Sequence, residues 1–97
     1  MENKKPLISI IILNYNAGDL ILNCINSVVH TKYENYEIIL VDNVSTDNSH
    51  KKCKEKFKEV QLIENSKNYG YCEGNNIGIR KANGEFIVIL NPDTIVE

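Results

Sequence analysis

Leu7-Ile8-Ser9-Ile10-Ile11-Ile12-Leu13 is a nearly continuous apolar run, rich in β-branched residues and broken only by Ser9. A strand with one wet face alternates apolar and polar residues, whereas a strand buried on both faces of a parallel sheet is apolar throughout. The run therefore reads as a central strand. Glu37-Ile38-Ile39-Leu40-Val41 repeats the pattern as a second strand, Val60-Gln61-Leu62-Ile63-Glu64 is a short third, and Glu85 to Leu90 is a fourth.

The segments between these runs have helical spacing. Ile21, Ile25, Val28 and Val29 form the stripe of a helix packed on a sheet. A second helix runs to about Phe57, with Ser45 or Thr46 expected to cap it and Asp47 in its first turn. It is lysine-rich, with Cys53, Phe57 and Val60 as its few apolar contacts, so the lysines read as a solvated face. Tyr71 to Ala82 reads as a third helix, closed by Asn83-Gly84. The order is βαβαβαβ, which predicts an α/β, Rossmann-like domain over residues 1–97: a mostly parallel sheet with right-handed crossovers and helices on both faces. The expected strand order is 3-2-1-4, with the ligand crevice outside the carboxyl ends of the strands.

Composition bounds the function. The chain has 97 residues, is 42% hydrophobic and 25% charged, and carries a formal charge of −2, as a small globular domain does. That charge excludes a nucleic-acid backbone as main partner, since phosphate neutralisation needs a basic face. Cys24, Cys53 and Cys72 are scattered without a C-x-x-C spacing, fitting a reducing compartment, and read as small apolar residues on helices. His30 and His50 have no second ligand at metal spacing and read as surface residues. Met1 to Pro6 followed by Leu7 to Leu13 has the outline of a leader. Its apolar run is short and ends in Asn14-Tyr15-Asn16 without a small-residue cleavage site, so it reads as a strand.

The chemistry is expected at the strand tips. Neither G-x-G-x-x-G nor G-x-x-x-x-G-K-[ST] follows the first strand, so nicotinamide, flavin and P-loop readings lose support. Asn14, Tyr15 and Asn16 offer amides and an aromatic face suited to a base, although Asn16 also reads as a cap for the first helix. Asp42 follows four apolar residues, so its carboxylate needs donors: a base imide or ribose hydroxyl, or the N–H groups of its own turn. Gly78 reads as a packing glycine, and Gly70 as a place where backbone approaches a ligand. Asn91-Pro92-Asp93 closes the fourth strand, either as ordinary turn chemistry or with Asp93 as metal ligand and Asn91 as a weaker oxygen donor. Mg²⁺ and Mn²⁺ are often held by one or two carboxylates plus substrate phosphates.

Ser9 to Asn16, Ile39 to Asp47, Asn68-Tyr69-Gly70-Tyr71 with Gly74-Asn75-Asn76-Ile77-Gly78, and Leu90-Asn91-Pro92-Asp93 together resemble the amino-terminal half of a bacterial family-two glycosyltransferase of the GT-A fold, rhamnosyltransferase-like branch. The resemblance covers nearly the whole chain. It implies an inverting transfer of a sugar from a nucleotide diphosphate donor to an acceptor hydroxyl, with divalent Mg or Mn on the diphosphate. By position, Asn14, Tyr15, Asn16, Asp42, Asn43, Asn68 and Gly70 are expected at the nucleoside, with Asn91 beside them and Asp93 on the metal. Asn91 stands where the family has the first acid of its Asp-x-Asp motif. The general base is expected downstream of Glu97, so the chain reads as truncated, binding donor without transferring sugar and pairing with itself as a symmetric dimer through its fourth-strand edge or the adjoining face. The resemblance further implies cell-envelope polysaccharide synthesis, a glycan or lipid-linked acceptor, and a cytoplasmic location with membrane association of the longer enzyme. The rivals are a non-catalytic sugar-nucleotide-binding or assembly module and a receiver-type signalling domain. The latter needs an acidic pair where Asn14-Tyr15-Asn16 stands.

Overall fold

The computed structural model describes residues 5–97; the start of the leader-like outline, Met1 to Lys4, lies outside them. Seven elements follow one another: β1 (Ile8–Asn14), α1 (Asp19–Val29), β2 (Tyr36–Asp42), α2 (Ser49–Lys56), β3 (Gln61–Glu64), α3 (Gly70–Lys81) and β4 (Phe86–Leu90). All strand pairs are parallel, in the order β3-β2-β1-β4, as the apolar runs predict.

Each face of the sheet has its own core. On one side Ile12, Ile38 and Leu40 meet Ile21, Cys24, Ile25 and Val28 of α1 and Cys53 of α2, with Phe57 and Val60 closing the layer. On the other, Ile11, Ile39 and Val41 pack beneath α3. Pleating sends neighbouring residues of one strand to opposite faces, so a strand covered on both sides must be apolar at both. That geometry also sets the helix contacts. A Cβ on Gly78 would lie 2.7 Å from Ile11 Cγ2 and 2.9 Å from Val41 Cγ2, so this glycine lets α3 lie close on the sheet.

Several local expectations are corrected. Gly84 does not close α3, whose last turn ends at an extended Ala82. Instead Gly84 sits against β1, its N–H donating to Ser9 Oγ at 2.8 Å. Asn16 does not cap α1, and neither Ser45 nor Thr46 caps α2; neither helix has a side-chain cap at its N-cap residue. These polar side chains bond to one another across the loops. His50 is buried rather than at the surface, only 6% exposed, whereas His30 is exposed as expected. Cys24 and Cys53 are buried, and burial pushes their thiols up to about 11 and about 12; Cys72 is exposed on α3.

Among the described residues β4 is an edge strand of the sheet. Phe86, Ile87, Val88 and Ile89 are all exposed, on both faces of this edge strand.

Candidate functional site

Parallel strands deliver their carboxyl ends to one edge, and the polar strand tips of the sequence meet there. The floor is a buried network. Asn14 Nδ2 donates to Asp42 Oδ1 at 2.9 Å and lies 2.9 Å from Ser49 Oγ and 3.2 Å from Ser45 Oγ. The Ser45 hydroxyl donates to Asp42 Oδ1 at 2.7 Å, and the Ser45 N–H donates to Asp42 Oδ2 at 2.8 Å. Asp42, 2% exposed, thus takes its donors from Asn14 and its own turn. Oδ1 is saturated, while Oδ2 has one of its two lone pairs committed within this network.

Asn43 carries the tie to the other side. Its side-chain oxygen accepts from Asn65 Nδ2 at 2.7 Å, and its Nδ2 donates to the Gly70 carbonyl at 3.2 Å. The loop after β3 and the first turn of α3 are thereby fixed to the tip of β2. Gly70 has φ +81 and open space around it, so its role here is to supply a left-handed backbone at the helix start. Asn68 Oδ1 accepts from the Gly70 N–H at 2.8 Å.

Above the floor, the β1 and β2 loops interlock. Asn16 Oδ1 accepts from the N–H groups of Thr46 at 2.7 Å and Asp47 at 3.2 Å. Asp47 accepts from the Ser49 hydroxyl at 2.6 Å and from the Ser49 and Gly18 N–H groups, each at 2.9 Å. Those bonds, the Ser49 hydroxyl first, hold its carboxyl below the usual range. Within this loop Val44 has φ +62, a left-handed conformation that a β-branched side chain strongly disfavours. Val44→Gly is expected to stabilise the chain by about 0.5–1 kcal/mol, because the strain removed exceeds the entropy that glycine adds to the unfolded state. An unchanged or lower melting temperature would show that the left-handed turn is unstrained.

The expected residues thus divide by exposure. Asn14, Asp42 and Asn43 are buried beneath the crevice, whereas Tyr15, Asn16, Asn68, Gly70, Asn91 and Asp93 are at its surface. Tyr15, 55% exposed, offers a free aromatic face. Ser45, read from sequence only as a helix cap, belongs to the site, as do Ser49 and Tyr71, which were not among the expected site residues. Ser45 was legible as a hydroxyl three residues after Asp42, close enough along the chain to reach its carboxylate; Tyr71 gave no such signal. The Tyr71 hydroxyl donates to Asn91 Oδ1 at 3.3 Å, joining α3 to the tip of β4.

The turn after β4 is anchored to α1. The Cys24 thiol lies 3.7 Å from the Asn91 carbonyl, which also accepts from Thr94 N–H at 3.0 Å, and the Val96 N–H donates to Ser27 Oγ at 2.9 Å. Asp93 is exposed and, among the described residues, makes no ion pair. After burial, its negative charge is what raises the Cys24 thiol. An uncompensated carboxylate beside an amide oxygen suits a hard cation, though among the described residues no cluster of three His, Cys, Asp or Glu side chains forms a complete cage. Substrate oxygens would have to complete the shell.

Comparison with known proteins gives one consistent family. A family model described as Glycosyl transferase family 2 matches residues 9–97. The chain is 36% identical over 94 residues to glycosyltransferase GlyG of Streptococcus pneumoniae, covering 94% of this chain and 31% of that protein. It is 39% identical over 95 residues to the poly(ribitol-phosphate) beta-glucosyltransferase of Bacillus spizizenii, covering 92% of this chain and 15% of that protein. The chain therefore spans about a third or less of these relatives. Among solved structures, a mannosyltransferase from Pyrobaculum calidifontis in complex with GDP-Man and Mn²⁺ superposes with TM-score 0.86 at 25% identity, covering 95% of this chain and 29% of that one. S. aureus TarS 1–349 in complex with UDP-GlcNAc superposes with TM-score 0.82 at 25% identity, covering 89% and 26%.

Proposed function

The chain belongs to glycosyl transferase family 2, and from that premise we propose that it is the donor-binding part of an enzyme that transfers a sugar, with inversion, from a nucleotide diphosphate sugar to an acceptor hydroxyl. One observation carries this reading: the tips of all four parallel strands converge on one edge, with a buried polar floor and exposed Tyr15, Asn16, Asn68 and Asn91 above it. The nucleotide sugars in the two neighbouring structures support it. Tyr15 stacks on the base. Asp42 Oδ2, with a lone pair left over, accepts from the base or ribose, while Asn43 and Gly70 hold the pocket wall. Asn91 and Asp93 face the diphosphate, Asp93 holding Mg²⁺ or Mn²⁺, which when bound offsets the charge of the leaving diphosphate. The chain's free cysteines support a reducing, cytoplasmic setting. The ribitol-phosphate relative supports a cell-envelope glycan or lipid-linked acceptor.

Calorimetric melting tests the donor site. Uridine, thymidine or guanosine diphosphate together with Mn²⁺ should raise the melting temperature of the chain, by up to about 2.7 kcal/mol of stabilisation at a hundred times the dissociation constant. The shift should vanish in Asp93→Ala and in the presence of chelator. Equal stabilisation with chelator would remove the metal from the site.

We also infer that the chain pairs with a second copy through β4. The strand offers unpaired backbone groups along an edge whose side chains Phe86 to Ile89 are apolar and exposed, a template for strand addition. Sedimentation at tens of micromolar should show a dimer, and Val88→Lys should return it to monomer; a wild-type monomer at that concentration defeats the pairing.

A further inference from the structure

Asn75, in the second turn of α3, is only 4% exposed, and neither its Nδ2 nor its Oδ1 has a hydrogen-bond partner among the described residues. Burying an amide without partners is costly, and nearly all buried polar groups of a folded chain are paired. The other buried amides at this end of the sheet are paired: Asn14 with Asp42 and the two serines, Asn43 with Asn65 and the Gly70 carbonyl. The polar floor is therefore complete without Asn75.

Helix geometry places this side chain, since successive residues are turned by about 100°. Gly74 faces β1 and β2: a Cβ there would lie 2.6 Å from Leu13 Cδ1 and 3.0 Å from Asn43 Nδ2. Tyr71 reaches the other way, its hydroxyl donating to Asn91 Oδ1 at the tip of β4. Asn75 follows Tyr71 by four residues and shares its stripe, on the flank of α3 turned from β2 toward β4. Its level is that of Leu13, and because Ile12 pairs with Leu90, Asn91 stands beside Leu13. The unpaired amide thus lies one helical turn beneath the Tyr71–Asn91 bond, at the β4 end of the crevice that carries Asp93. Tyr71 is 59% exposed, so what separates Asn75 from the crevice is a side chain held by one exposed hydrogen bond of 3.3 Å.

The two unpaired atoms select the chemistry of the ligand. A phosphate oxygen only accepts and would leave Oδ1 unpaired, whereas a cation would take Oδ1 and leave Nδ2 unpaired. A hydroxyl both donates and accepts, so two neighbouring sugar hydroxyls satisfy both atoms.

We propose that Asn75 is a specificity-determining residue of the donor site: its amide binds a pair of neighbouring hydroxyls on the transferred sugar, which enters as the Tyr71 side chain leaves Asn91. The sugar contact rests on the donor-binding reading above, which it extends from the nucleotide to the sugar.

Calorimetric titration of the 97-residue chain with Mn²⁺ and UDP-GlcNAc or UDP, and GDP-Man or GDP, tests this contact. In Asn75→Ala, affinity for at least one sugar nucleotide should fall about tenfold more than affinity for its bare nucleotide. The melting temperature of the variant should equal or exceed that of the wild type, because two unpaired buried atoms are removed and alanine favours the helix. A second measurement needs no variant: with Mg²⁺, the side-chain amide signals of Asn75 in nitrogen–proton NMR should shift on adding a sugar nucleotide and stay in place on adding the bare nucleotide. Equal shifts with both would put the amide on the diphosphate and overturn the sugar contact. A variant that melts lower and loses no sugar-dependent affinity would assign the amide to a buried water, which also overturns it. In either case the bare nucleotides still bind and the donor-binding reading stands; if none of the four ligands binds, both fall together.

Discussion

Asn14→Ala is expected to destabilise the chain by about 3 kcal/mol, because it removes a donor from a carboxylate that is already out of water. Asn14 is fully buried, and its amide holds Asp42 at the end of β2, Ser45 on the following loop and Ser49 at the start of α2. Truncating it leaves the Asp42 charge with the Ser45 hydroxyl and N–H alone as hydrogen-bond donors. Asp42→Ala should incur a similar loss, since Asn14 Nδ2 and the Ser45 N–H then lose a buried acceptor. The double variant should be less destabilised than the sum of the two by about 1–2 kcal/mol, because each single change strands what the other removes. Chemical denaturation of the four proteins measures this. Strict additivity would mean that the two residues act independently and that the floor is not one network. Both single variants should also bind nucleotide at least tenfold more weakly, since the Asn16 and Ser45 loops lose their common anchor.

The second large effect is steric. A Cβ placed on Gly84 would lie 2.6 Å from the Ser9 backbone nitrogen, 2.6 Å from Ser9 Oγ and 2.9 Å from the Leu7 carbonyl oxygen. Backbone cannot swing aside as a side-chain tip can, so β4 must withdraw from β1 where it begins. The hydrogen bonds of Glu85 N–H to the Leu7 carbonyl, 2.8 Å, and of Gly84 N–H to Ser9 Oγ go with it. Gly84→Ala is expected to destabilise by about 2–4 kcal/mol, and Gly84→Val by more. Gly18→Ala makes the informative comparison: that site has φ +58, ψ −134 and no atom within 4 Å of an added Cβ, so its penalty, about 1–3 kcal/mol, is the dihedral alone, and its loss of protection should centre on the start of α1 rather than on β4. Hydrogen exchange should localise the Gly84→Ala loss to β4 and the adjoining half of β1. Uniform or absent loss of protection would place the close approach elsewhere.

These two sites show what was legible beforehand. Four apolar runs separated by helical stripes determined the alternation, the parallel sheet and its order, and the edge at which ligand-binding residues collect. Periodicity is a local property of the chain, and crossover handedness leaves few ways to arrange such a pattern. The motif residues at the strand tips were likewise visible, and with them the resemblance that the family match bears out. What only the tertiary structure decided is which tip residues remain free to meet a ligand. Asn14 meets Asp42 at a separation of 28 residues, and Gly84 meets Ser9 at 75. Asn16, read as a helix cap, is spent on the Thr46 and Asp47 amides instead, and His50, read as a surface residue, lies between two carboxylates from different strands. A side chain's best local partner is evident from its neighbours in sequence, but a buried polar group bonds to whatever the packed strands bring beside it. The pattern of the chain therefore determined where the site is, and the packing determined which of its polar groups form the floor and which remain open above it.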